Sequence, residues 1–114
     1  MKKLASITTV LVLLVLALLP ASASAIKPLG KAEAKAAATE RLQRYYDYSW
    51  RYANYKSVGQ GERISSTRWE LAYQFEPEEA NEACYGVVTV WRGRANRIFG
   101  TITPNPELTN PVCR

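Results

Sequence analysis

Three hydrophobic rhythms run along the chain. Residues 4–19 are almost continuously apolar, with Ser6, Thr8 and Thr9 the only polar positions, and residues 10–19 contain none. Lys2 and Lys3 stand in front of this run, and Pro20 with the small residues Ala21, Ser22, Ala23, Ser24 and Ala25 stands behind it. A basic head, a short apolar stretch and small residues at alternate positions form the pattern of a secretory signal peptide. The run is shorter than the roughly 20 residues needed to cross a bilayer. Cleavage is expected after Ala23 or Ala25, taken here as Ala25, and an uncleaved N-terminal anchor is the alternative. No Cys occupies the cleavage position, which argues against a lipid-anchored form.

The second rhythm is helical and predicts one helix over residues 31–55. At about 100° per residue, Ala34, Ala38, Leu42, Tyr45, Tyr46, Ser49, Tyr52 and Ala53 form one stripe. Glu33, Glu40, Arg44, Asp47 and Arg51 lie opposite, a charged back for an apolar face. Glu40–Arg44 and Asp47–Arg51 are acid-first i,i+4 pairs, each adding a few tenths of a kcal/mol. Gly30 serves as N-cap, Glu33 suits the positive end of the helix dipole, and Gly59 and Gly61 are expected to end the helix.

The third rhythm alternates. In residues 67–76, Trp69, Leu71, Tyr73 and Phe75 share one face, and Arg68, Glu70, Ala72, Gln74 and Glu76 the other. That is a half-buried strand. Residues 63–66 form a shorter strand or the approach to it. After a turn at residues 77–82, a Val-rich strand covers 84–91, with Gly86 marking a bulge. Residues 92–96 turn, and 97–103 form a third strand. Pro104, Pro106 and Pro111 keep the C-terminal segment extended and out of any central strand. The reading is α+β: one N-terminal amphipathic helix on a three- to four-stranded antiparallel meander, residues 26–103 as a single domain, and 104–114 as a Pro-rich tail.

Composition narrows the chemistry. The 114 residues carry 15 Lys and Arg against 10 Asp and Glu, and no His. Without His there is no Ser-His-Asp or Cys-His catalysis and no His-ligated metal, and two Cys cannot build a four-Cys cluster. Removal of residues 1–25 leaves 89 residues; loss of Lys2 and Lys3 lowers the basic count to 13 and the net charge from +5 to +3. That is ordinary solubility charge, not a nucleic-acid footprint. Cys84 and Cys113 are an even pair in a chain expected to be exported, so a disulfide is expected, with free thiols as the alternative. The bridge would close a loop of about 30 residues, worth about 3.6 kcal/mol in the chain-entropy model, and clip the tail to the sheet.

Three groups of residues are candidates for function. The aromatic run Tyr45, Tyr46, Tyr48, Trp50, Tyr52 and Tyr55 includes Tyr48 and Tyr55 on one flank of the predicted helix beside Arg41, and Trp50 on the other. These side-chain types dominate binding hot spots, although packing also accounts for them. Glu76, Glu78, Glu79 and Glu82 crowd the turn after Pro77; paired carboxylates serve glycoside hydrolysis and clustered ones bind Ca²⁺. A solvated turn explains them as well, so no catalytic residue, metal or cofactor is assigned. Trp91, Arg92, Arg94 and Arg97 surround Gly93, a pattern that grips phosphate groups or simply protects a hairpin tip.

The chain resembles a group of short secreted actinobacterial proteins of unknown function, through Arg63, Ser65 and Trp69 on one strand, Gly86, Val88 and Val90 on the next, and the terminal Cys113. It departs from them at Glu70, where that group often carries Cys. The helix-then-strands layout is also similar to cystatin-like and PepSY-type modules. Neither resemblance implies catalytic residues. The expectation is a secreted, non-enzymatic binding or inhibitor module for a protein or cell-envelope partner, with an envelope-associated protein that holds anionic wall material as the alternative. Nucleic acid is not expected as a partner, nor a membrane after cleavage.

Overall fold

A computed structural model describes residues 26–79 and 82–114. The signal-peptide expectation for residues 1–25 lies outside them, as do Ala80 and Asn81 of the acidic turn. Helix α1 covers Lys31–Tyr46, a single turn α2 covers Tyr48–Arg51, and five strands follow: β1 Tyr55–Val58, β2 Glu62–Ser65, β3 Arg68–Glu76, β4 Cys84–Arg92 and β5 Ile98–Pro104. The chain is α+β, one long helix packed on an antiparallel sheet.

The expected helix over 31–55 stops at Tyr46. Asp47 has φ 49° and ψ −113°, which no helix accommodates. Trp50 stands four residues after Tyr46 and, in the single turn that follows the break, is 3% exposed with its ring 5.3 Å from that of Phe75. The buried stripe is consequently narrow: Ala34, Ala38, Leu42 and Tyr46, strictly four apart. Tyr45 and Tyr52, expected on it, are half exposed. Both helical ion pairs form, Glu40–Arg44 at 2.5 Å and Asp47–Arg51 at 4.0 Å. Lys56 Nζ donates to the carbonyls of Trp50 and Arg51, satisfying the open C-terminal end of the helical segment.

Tyr55, expected as the last residue of the helix, instead opens the strand Tyr55–Val58, which has a partner there: it pairs with Glu76–Tyr73 of β3. β2 pairs with the next stretch of the same β3 edge, Glu62 opposite Glu70 and Ser65 opposite Arg68. β1 and β2 thus act as one edge interrupted at Gly59–Gly61. Those glycines shape a bulge rather than a helix end. Gly59 N donates to Ala72 O at 2.7 Å. Gly61 has φ 79°, and a Cβ there would stand 2.9 Å from Leu71 Cγ. β4 then pairs with β3, and β5 with β4.

The alternation in β3 holds. Leu71, Tyr73 and Phe75 are buried under the helix with Cys84, Val88 and Val90 of β4. Leu29 closes one end of this core, its N–H bonded to Ser66 O and its carbonyl to Trp69 Nε1, both at 2.8 Å. At the other end, Pro104–Arg114 returns across the core and buries Leu108 and Cys113. Cys84 and Cys113 lie at disulfide distance, Cα–Cα 5.1 Å. Beside them Tyr46 Oη lies 3.0 Å from Cys113 O and 2.5 Å from Tyr73 Oη. A carbonyl only accepts, so the Tyr46 proton goes to Cys113 O and Tyr73 donates to Tyr46. Burial raises the pKa of both tyrosines.

Candidate functional site

The helix covers one face of the sheet and leaves the other open. On β4, Tyr85, Val87, Thr89 and Trp91 alternate with the buried Cys84, Val88 and Val90, so they point outward. Arg68, Trp91 and Phe99 are direct neighbours across three strands. The Arg68 guanidinium carbon sits 5.3 Å over the Trp91 ring, and the Trp91 and Phe99 rings stack at 6.0 Å and 23°. Further along the same face, Tyr85 and Val87 join Thr103, Pro104 and Pro106 around an open recess of about 670 Å³. An antiparallel sheet can leave one face in water, but that face normally alternates polar residues. Here Tyr85, Val87 and Phe99 are 42%, 37% and 36% exposed.

Electrostatics differ between the two ends of the sheet. Arg63, Arg68, Arg94 and Arg97 are exposed at the end formed by the β2–β3 and β4–β5 connections, with the exposed Glu62 and Glu70 next to Arg63 and Arg68 on β2 and β3. Lys27 joins them, its backbone N–H bonded to Asn96 Oδ1. Asp47, Glu76, Glu78, Glu79, Glu82 and Glu107 are exposed at the opposite end and outnumber the exposed Arg51, Lys56 and Arg114 there. Glu33 belongs to neither set, because it accepts from Arg92 Nη2 at 2.6 Å. That contact holds its carboxyl below the usual range.

The residues singled out from sequence do not come together. Trp50 leaves the candidate surface altogether, for it is core. Arg92 leaves it too: its side chain is 10% exposed and is spent on Glu33 and Asn96 O, because Arg92 faces inward at the end of β4. Its Nε is buried without a partner among the described residues. Arg94 and Arg97 stay exposed around the turn. Trp91 belongs with Arg68 and Phe99, not with the inward Arg92. Arg41 does not neighbour Tyr48 and Tyr55; it lies against Gly100 of β5. Tyr55 stands opposite Glu76 at the other edge. Tyr48 stacks near Tyr52, ring centroids 4.7 Å apart, with its hydroxyl 3.4 Å from Glu78. The negative charge of Glu78 is the main cause raising the Tyr48 pKa. Among the described residues no three of His, Cys, Asp and Glu are grouped to hold a metal ion.

Arg68, Phe99, Tyr85 and Val87 were not legible as site residues one strand at a time. The available signal was parity: in β4 both alternating sets are apolar, which a sheet with one solvated face does not require. No family model, curated protein or solved structure matches the chain, so the resemblances rest on the sequence motifs alone.

Proposed function

We propose that this chain is an exported, non-catalytic binding module whose contact face is the open side of the sheet, centred on the Arg68–Trp91–Phe99 row. The observation that carries the reading is the row itself: an arginine and two aromatic rings, preassembled across three strands on a face that none of the described residues covers. Arg and Trp are the residues most enriched at binding hot spots, and a stack fixed by strand pairing loses little side-chain entropy on contact. Tyr85 and Val87 extend the apolar surface beyond what scattered exposure explains. Catalysis has little support. His is absent, and the carboxyl with a displaced titration, Glu33, is moved in the acidic direction, opposite to what a proton donor near neutrality needs.

A second reading has an observation of its own. The cluster of Lys27, Arg63, Arg68, Arg94 and Arg97 at one end suits anionic wall polymer. Binding to purified envelope and to culture-medium proteins, measured by biolayer interferometry for wild type and an Arg68→Ser/Trp91→Ser variant, tests both. The variant should bind at least about tenfold more weakly with an unchanged melting temperature. Retention that collapses between low and high salt favours the wall polymer, and salt-tolerant retention favours a protein partner. Unchanged binding by the variant overturns the assignment of the face.

A further inference from the structure

The sheet has a second unpaired feature, the free edge of β5. Asn105 N donates to Tyr85 O at 2.9 Å and Gly93 N to Arg97 O at 2.8 Å, at the two ends of the β4–β5 ladder. Antiparallel pairing alternates, so Phe99, Thr101 and Thr103 spend their backbone groups on β4. Those of Ile98, Gly100 and Ile102 point away from the sheet, and no strand pairs with that edge among the described residues. Helix α1 runs alongside, leaving a groove of about 410 Å³ between itself and the start of β5, with Ala36, Ala37, Arg41 and Ile98 in its wall. The groove continues past Arg41 to Tyr45, Gly100 and Ile102.

Its charges are nearly all matched. Glu33 is paired with Arg92 and Glu40 with Arg44. Arg41 has no acidic partner among the described residues. It lies along the middle of the edge, its Cγ 2.9 Å and its Nε 3.2 Å from where a Gly100 Cβ would be. Gly100 therefore makes the room that brings an uncompensated guanidinium beside unpaired backbone. Open donors and acceptors on an edge recruit an extended chain, with alternate side chains setting the specificity; a free guanidinium selects a carboxylate among them.

We infer that the β5 edge binds an extended polypeptide segment as an added strand, with an acidic residue placed against Arg41 and small or apolar residues on either side of it along the groove. This surface is distinct from the open sheet face, and the inference does not depend on the reading given above.

The test uses the full chain in the form the producing cell accumulates. The probe is an acetylated, amidated octapeptide of alternating threonine and valine with one central glutamate. Controls are the same peptide with glutamine in place of glutamate, and a version N-methylated at alternate residues. Binding is followed by fluorescence anisotropy and by amide hydrogen exchange. The glutamate peptide should bind at least about tenfold more tightly than the glutamine peptide and should protect the amides of Ile98, Gly100 and Ile102. The N-methylated peptide should not bind. Arg41→Gln should erase the preference for glutamate while keeping the amide protection, which also shows that the variant is folded. Equal affinity for the glutamate and glutamine peptides, absence of protection at those three amides at millimolar peptide, or protection elsewhere instead would each overturn the inference.

Discussion

Replacing Tyr46 with Phe and Tyr73 with Phe removes one oxygen each from the same buried pair, yet the costs should differ. Tyr46 Oη serves two partners: it donates to Cys113 O and accepts from Tyr73 Oη. Tyr46→Phe therefore orphans a carbonyl at a fully buried residue and strips Tyr73 of its acceptor, at about 2–3 kcal/mol. Tyr73→Phe removes only a donor to an oxygen that still donates, at about 1 kcal/mol. In a domain of this size each kcal/mol moves the melting temperature by about 4–8 °C. Calorimetry of both single variants and the double variant, with the Cys84–Cys113 bridge checked by mass, measures the asymmetry. The double variant should cost little more than Tyr46→Phe. If Tyr73→Phe proves as costly as Tyr46→Phe, the proton runs the other way and the reasoning fails. The pair also sets a pH response. Burial raises both folded-state pKa values, so the neutral hydroxyls are favoured in the fold. Their contribution is complete below the unfolded value of about 10 and is lost as the pH rises beyond it. The urea midpoint should fall between pH 8 and pH 11, and less steeply in the double variant.

Further expectations follow from single observations. Glu33→Gln should lower the melting temperature at pH 7, because it leaves the Arg92 guanidinium poorly matched in a site where it is nearly buried. The Glu33 pKa is lowered in the fold, so its contribution is present above the unfolded value and disappears as acid is added through the folded one. The wild type and the variant should thus converge in melting temperature toward low pH, and a constant gap would contradict the pairing. Gly61→Ala should destabilise by about 1–3 kcal/mol in urea unfolding, since it forces a side chain into a left-handed backbone and against Leu71; an unaffected midpoint would argue against the bulge. A Cys84→Ser/Cys113→Ser double variant should lose about 3.6 kcal/mol and show faster amide exchange over residues 105–114. Melting unchanged by reductant would remove the bridge from the account.

Where a periodicity depended only on neighbours in the chain, it was readable. Trp69, Leu71, Tyr73 and Phe75 alternate because a strand turns successive side chains to opposite faces, and the structure buries the last three of them under the helix. Ala34, Ala38 and Leu42 mark the buried face of α1 for the same local reason. The pairing of Cys84 with Cys113 was legible because the chain has no other cysteine. The helix end was not. The spacing of apolar residues over 45–55 fits a helix although Tyr, Trp, Ser, Asp and Asn are weak helix formers, and the packing of Trp50 on Phe75 and the free edge of β3 opposite Tyr55–Val58 accompany a break at Asp47 and a new strand. Arg92 looked like part of a basic tip because its neighbours are basic. Its inward parity and the position of Glu33, 59 residues away in sequence, make it structural. Both proposed contact surfaces are products of register and layer. The sequence of each strand determines which side chains share a face; the pairing of β3, β4 and β5 decides that Arg68, Trp91 and Phe99 touch, and the place where α1 lies decides that Arg41 meets the open edge at Gly100. Contacts between distant segments depend on how whole elements dock, and that information is spread over the chain rather than written at any one position.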